Sequence, residues 1–170
     1  MYGENVPQTS SDLWSLPMQG DRKPVPVANS PFNELNGQFS PDGKWIAYSA
    51  DETGQMEIYV VPFPAGSGKW QVSTTGGMWP RWSRNGKELF FVGPDRQMKA
   101  VVIKASGVSF EASPPVMLFE TLLNFVTGIV RPQYAVAADG RFLLIVPSVK
   151  EGAASASLTL LQNWMPTRTQ

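Results

Sequence analysis

Phe39-Ser40-Pro41-Asp42-Gly43-Lys44-Trp45-Ile46-Ala47-Tyr48 is the stretch that decides how this chain folds. An apolar residue leads through two small or polar positions to Asp-Gly, a basic residue follows, and an apolar run closes the phrase. Pro presets φ for a tight turn, Asp tolerates its geometry, and Gly supplies the positive φ at its exit. The phrase therefore reads as strand, turn, strand. It is written again as Trp82-Ser83-Arg84-Asn85-Gly86-Lys87-Glu88 and, more worn, as Val136-Ala137-Ala138-Asp139-Gly140-Arg141-Phe142. The Asp or Asn falls at positions 42, 85 and 139. A period of about 40–45 residues with this content is that of a four-stranded propeller blade.

Working outward, Gly37–Ser40, Trp45–Ser49, Glu57–Pro62 and Trp70–Ser73 are four strands of one blade, spanning 37–73. The next blade, 80–119, has Pro80–Ser83, Glu88–Val92, Met98–Ile103 and Pro115–Phe119, with a helical turn an alternative over Leu118–Phe125. A partial blade, 134–164, has Tyr134–Ala137, Phe142–Val146 and Leu158–Trp164 and no fourth strand. At the other end, Asp12–Pro17 matches Glu57–Pro62 by position, so 12–28 reads as a third and fourth strand without the first two. The apolar runs are short, bounded by turn residues and rich in aromatic and β-branched types, which favours strands over a buried helix. Residues 1–11 and 165–170 read as flexible tails.

The expected fold is all-β: a partial propeller of antiparallel blades, about three blade equivalents in one chain. Propellers close with about four to eight blades. The economical closure is self-association, a homodimer whose loose third and fourth strands complete the partner's last blade in a six-bladed ring. A fragment of a longer parent explains the same count.

Composition narrows the chemistry. Fourteen basic and fourteen acidic residues cancel, so no electrostatic footprint for nucleic acid is visible. No run approaches the ~18 apolar residues that span a bilayer, and Met1–Ser11 lacks the apolar centre of a signal peptide. There is no Cys and no His, which excludes disulfides, thiolate sites, Cys nucleophiles and the usual His-based triads and zinc sites.

The phrase at Phe39–Tyr48 resembles the TolB-like propeller repeat, a relative of the WD-repeat family. Asp12-Leu13-Trp14, Asp51-Glu52-Thr53-Gly54, Pro80-Arg81-Trp82-Ser83, Leu118-Phe119-Glu120 and Leu161-Gln162-Asn163-Trp164 are similar, more particularly, to the end of the propellers of bacterial membrane-anchored serine/threonine kinases. That resemblance implies a non-catalytic, extracytoplasmic binding or sensing domain that takes a protein or small-molecule ligand. The kinase Gly-rich loop, His-Arg-Asp loop and Asp-Phe-Gly are absent from this sequence, so no phosphoryl transfer carries over.

Candidate site residues follow from where propeller loops gather. Loops entering the innermost strands share a face with the second-to-third loops. Asn36, Trp79, Arg81, Arg131 and Gln133 are therefore the ligand- or partner-binding candidates. Trp79, beside Gly76-Gly77, reads either as an exposed stacking surface or as a lid over the core. Arg81 and Arg131 suit a carboxylate or phosphate, with a salt bridge to Glu34 or another loop acid as the alternative. Asp51, Glu52 and Asp95 offer oxygen ligands to a hard cation such as Ca²⁺, or a solvated face; no resident cofactor is expected. The competing class is a carboxylate- or metal-dependent hydrolase at the channel mouth, drawing on Glu34, Asp51, Glu52 or Asp95.

Overall fold

Ser40 shows how the repeated phrase folds. Its carbonyl accepts from the Gly43 N–H at 2.9 Å, and its own N–H donates to the Trp45 carbonyl at 2.8 Å. Its hydroxyl accepts from the Trp45 N–H at 3.0 Å and donates to Asp42 Oδ1 at 2.6 Å. The second copy repeats this. Ser83 accepts from Glu88 N–H at 3.0 Å and donates to Asn85 Oδ1 at 2.9 Å. One serine hydroxyl thus bridges the side chain that shapes the turn and the first N–H of the returning strand.

The computed structural model describes residues 2–6, 10–64, 66–123, 131–146 and 157–161. These form four antiparallel sheets, and no helix is present among them. The first sheet holds β1 (Tyr2–Val6), β2 (Ser10–Ser15) and β3 (Val25–Ala28). The second holds β4 (Glu34–Phe39), β5 (Trp45–Ala50), β6 (Glu57–Pro62) and β7 (Trp70–Gln71). The third holds β8 (Met78–Trp82), β9 (Glu88–Val92), β10 (Gln97–Ser106), β11 (Ser109–Ala112) and β12 (Val116–Glu120). The fourth holds β13 (Tyr134–Val136), β14 (Phe142–Val146) and β15 (Ser157–Leu161).

One expectation needs correction, and another, the fourth strand at Pro115–Phe119, holds as β12 but with an added strand before it. Residues 2–6, expected in a tail, form a strand against β2, with Tyr2 opposite Trp14 and Val6 opposite Ser10. The reason is backbone rather than side chain: β2 would otherwise present an open row of N–H and C=O groups. The outer strand of the third sheet is also split. β10 runs ten residues, turns at Gly107 (φ 60°) and returns as β11. Pro114 and Pro115, which have no N–H, interrupt the ladder before β12 resumes it along the same edge. Ser113 carries the gap, its hydroxyl accepting from Val102 N–H at 2.9 Å. Residues 124–125, 162–164 and the tail at 165–170 lie outside the described residues.

Apolar clusters cement each pair of neighbouring sheets. Leu13, Tyr48, Ala50 and Tyr59 join the first to the second. Trp45, Ala47, Ile58 and Val60 of the second meet Leu89, Phe91 and Val101 of the third. Phe90, Val92 and Met98 of the third meet Tyr134, Phe142 and Leu144 of the fourth. In β5 and β9, therefore, alternate residues face the preceding and the following sheet, and both faces are buried.

The fourth sheet breaks this parity. Phe39 lies opposite Ile46 and Trp82 opposite Leu89, but Val136 lies opposite Phe142, one residue earlier than the repeat requires. Ala137 stands where Ser40 and Ser83 stand in the earlier copies, so it has no hydroxyl to receive the returning N–H. Its own N–H donates to Arg141 rather than Phe142, and the turn closes one residue tighter. A slip of one residue sends every side chain to the opposite face. Phe142 and Leu144 consequently enter the core, while Ile145 is left 51% exposed.

Candidate functional site

The innermost strands β4, β8 and β13 pack in succession, with β8 touching both β4 and β13. Asn36 and Trp79 occupy the same repeat position in β4 and β8. Both sit at bulges in the pairing, with φ 60° and 59°. A bulky residue at positive φ holds only where its surroundings over-determine it. For Trp79 those surroundings are the core. It is 0% exposed, packed with Phe90, Val92 and Tyr134, and the Tyr134 hydroxyl donates to its carbonyl at 2.7 Å. Of the two readings of Trp79, the exposed stacking surface is therefore corrected in favour of a position over the core, because β8 begins at Met78 and its bulge sets which way the indole packs. Asn36 Nδ2 is buried with no hydrogen-bond partner among the described residues.

The carboxylates are dispersed among structural tasks. Asp51 accepts from Asn33 N–H at 2.9 Å and Asn33 Nδ2 at 2.7 Å, pinning the entry to β4. Glu52 pairs with Lys69 at 2.5 Å, and the same ammonium lies 4.5 Å from the Tyr59 ring centre. Burial and the Glu52 charge push the Tyr59 hydroxyl up to about 12. Asp95 pairs with Lys99 at 2.8 Å and accepts from Gln97 N–H at 3.2 Å. Against the cost of partial burial, these donors hold its carboxyl below the ordinary value. Glu34 is 1% exposed; Ser30 donates to its Oε1 through both backbone N–H and hydroxyl. Burial raises its carboxyl above the ordinary 4.5, opposed by the Ser30 donors, and Oε2 has no hydrogen-bond partner among the described residues. Among the described residues no three acidic groups converge where a metal ion would sit.

Glu57 escaped notice in the sequence. It is 1% exposed and accepts from the Ser73 hydroxyl, from Gly76 N–H at 2.9 Å and from Gln55 Nε2 at 2.7 Å. Ser73 in turn receives Ile58 N–H at 2.8 Å. This network fixes the crossing from β7 to β8. A signal existed, since an acid opens both matched stretches, Asp12–Pro17 and Glu57–Pro62.

Arginines mark the inner wall. Arg81 is half-buried, its guanidinium carbon 6.0 Å from the centre of the Tyr134 ring and its Nη1 donating to the Pro80 carbonyl at 3.0 Å. Burial lowers its pKa, the Tyr134 hydroxyl opposing. Its expected counter-ion, Glu34, is held on Ser30, and no carboxylate among the described residues pairs with it. Arg131 is exposed at the start of the stretch leading into β13. Gln133 is half-buried, and its carbonyl accepts from Ile145 N–H at 2.8 Å. Trp82 Nε1 donates to the Gln38 carbonyl at 3.2 Å, tying β8 to β4.

Among the described residues, clefts open on the face carrying the Asp-Gly turns. One of about 740 Å³ lies between the second and third sheets, beside Asp42, Trp82, Lys87 and Val102. Another of about 540 Å³ lies between the third and fourth, beside Asn85, Phe90 and Asp139. A third, about 410 Å³, sits at the ends of the inner strands, beside Gln38, Phe39, Arg81, Trp82, Arg84 and Val136.

No protein-family model matches the chain, and no curated protein matches it in sequence. Solved structures do. TolB from Acinetobacter baumannii aligns over 94% of this chain and 37% of its own, at 18% identity and a TM-score of 0.60. A protein from Agrobacterium tumefaciens assigned as a TolB aligns over 68% of this chain and 45% of its own, at 21% identity and a TM-score of 0.51. The chain thus spans less than half the length of either. Likeness at these identities speaks for architecture, and with the four antiparallel sheets it gives the conclusion that the chain has the TolB-like β-propeller fold.

Proposed function

We propose that this chain is a non-catalytic binding and assembly module, a propeller segment that closes its ring against a second copy of itself. The observation that carries the reading is the complementarity of its two ends. By its match to β6, β2 is a third strand, β3 a fourth and β1 a second, so among the described residues the first sheet has no innermost strand. The last sheet has an innermost, second and third strand in β13, β14 and β15, and no outermost one among the described residues. Adding β2 and β3 of one copy to β13 and β14 of another makes a complete four-stranded blade. Two such blades and the two whole blades of each copy form a six-bladed ring, within the range in which propellers close. In the single chain β1 and β15 occupy the places those partner strands take, and so cover the edges in the meantime.

The resemblance to kinase-borne propellers adds an extracytoplasmic, ligand-sensing setting. A hydrolase at the channel mouth would require Glu34, Asp51, Glu52 and Asp95 to act together. Each is instead engaged with a different group: Ser30, Asn33, Lys69 and Lys99. Sedimentation equilibrium at micromolar concentration tests the assembly: twice the single-chain mass is expected, and a stable single-chain mass overturns it.

A further inference from the structure

We propose that the cleft at the ends of β4, β8 and β13 binds the carboxylate groups of an acidic peptide, with Arg81 as its anchor and Arg84 as a second cation. A guanidinium carries five N–H donors and cannot shed its charge in a protein. Arg81 is half-buried, yet only one hydrogen bond is found for it among the described residues, to the neighbouring Pro80 carbonyl. The Tyr134 ring covers one side of it, and no described carboxylate neutralises it. A partly desolvated cation left in this state is an incomplete site, because removing charge from water is costly until an opposite charge arrives. No Asp or Glu lines the cleft, so nothing there repels an anion.

The form of the wall selects the anion. The guanidinium fork matches a carboxylate bidentately. A phosphate would need further donors, and beside the cleft the backbone N–H groups of Ser40, Ser83 and Ala137 are spent on their own turns. Phe39, 38% exposed, and the half-buried Trp82 and Val136 offer apolar flanks suited to the chain of a peptide. The cleft, about 410 Å³, lies within the size range of small-ligand sites. It lies inside one chain; the proposal takes from the binding-module reading only its setting.

Fluorescence anisotropy with a labelled tetraglutamate peptide at low salt tests this, with tetraglutamine as control. The protein should bind the first and not the second. Arg81→Gln should weaken binding about tenfold or more, and Arg81→Lys should fall between, keeping charge without the fork. Arg84→Gln, on an exposed side chain with no ion pair among the described residues, should weaken it severalfold, and Arg22→Gln, in the connection between β2 and β3 of the first sheet, should change nothing. Absence of tetraglutamate binding, equal binding of the glutamine peptide, competition by inorganic phosphate stronger than by acetate, or indifference to both Arg84→Gln and Arg81→Lys overturns the proposal. Sedimentation of the same samples separates the two readings. A dimer that ignores the peptide refutes this site alone, and a monomer that binds it refutes the assembly alone.

Discussion

Ser40→Ala removes one oxygen and should cost more than its size suggests. The hydroxyl accepts from the Trp45 N–H at 3.0 Å, and Trp45 is 4% exposed, so the N–H loses its partner in a place water does not reach. Leaving a buried donor unsatisfied costs about 1–3 kcal/mol. Slipping by one residue, as the fourth sheet does at Ala137, is closed to this strand because Trp45 and Ala47 are locked between the second and third sheets. The variant must therefore bear the loss. For a chain of this length about 2 kcal/mol lowers Tm by about 4–8 °C. Acid sensitivity provides a second reading. The Ser40 hydroxyl is the main reason the Asp42 carboxyl lies below its ordinary 3.8. A carboxyl depressed in the folded state contributes stability above its unfolded pKa and loses it as pH falls through the folded one. The gap between wild type and Ser40→Ala should therefore narrow below about pH 4. Urea unfolding across pH 3–7 checks both. A loss under about 0.3 kcal/mol at neutral pH, or a gap that widens in acid, would refute the role given to this hydroxyl.

Ser83→Ala should cost roughly half as much, because Glu88 is only partly buried and the acceptor, Asn85, is uncharged; thermal melts run in parallel with Ser40→Ala check the order. Glu57→Ala should destabilise by about 2–4 kcal/mol, since Ser73, Gly76 and Gln55 lose a common buried acceptor, and Glu57→Gln should recover part of that in urea unfolding. Glu34 carries the opposite sign from Asp42. Its raised pKa means the folded state holds its proton longer, so stability falls as pH rises from about 4.5 through the folded value. Glu34→Gln should flatten that decline, and an unchanged pH profile would count against it.

The repeated turn made most of this architecture legible. Pro41-Asp42-Gly43 and Asn85-Gly86 place strands on both sides, and the apolar runs at Trp45–Ser49 and Glu88–Val92 fall within β5 and β9. What stayed hidden depended on backbone or on a missing atom. Tyr2–Val6 has little strand character in Gly3, Glu4 and Asn5, and pairs because β2 offers an edge. The split between β11 and β12 follows from a serine and two prolines that break a ladder without ending it. For Trp79 the sequence leaves an exposed surface and a lid over the core both open, and the bulge, which reverses the alternation from which burial is read, decides for the core. At the site, Arg81 could be named from its type, although the sequence put it on the face of the loops entering the innermost strands and the cleft it lines opens on the opposite face, beside Pro41, Ser83 and Ala137. That Glu34 turns to Ser30 and leaves Arg81 without a counter-charge depends on a fold in three dimensions.

The offset at Ala137 also gives the fourth sheet faces unlike those of the second and third. The second and third sheets hand an aromatic forward to their successors, Trp45 and Phe90 respectively. The fourth turns its aromatic, Phe142, backward and offers Leu143 and Ile145 instead. Any joint made on that face would therefore meet a surface of different shape from the two that the second and third sheets present to their successors. The rotation from one unit to the next, rather than the shape of the joint, then decides between a closed ring and an open fibre.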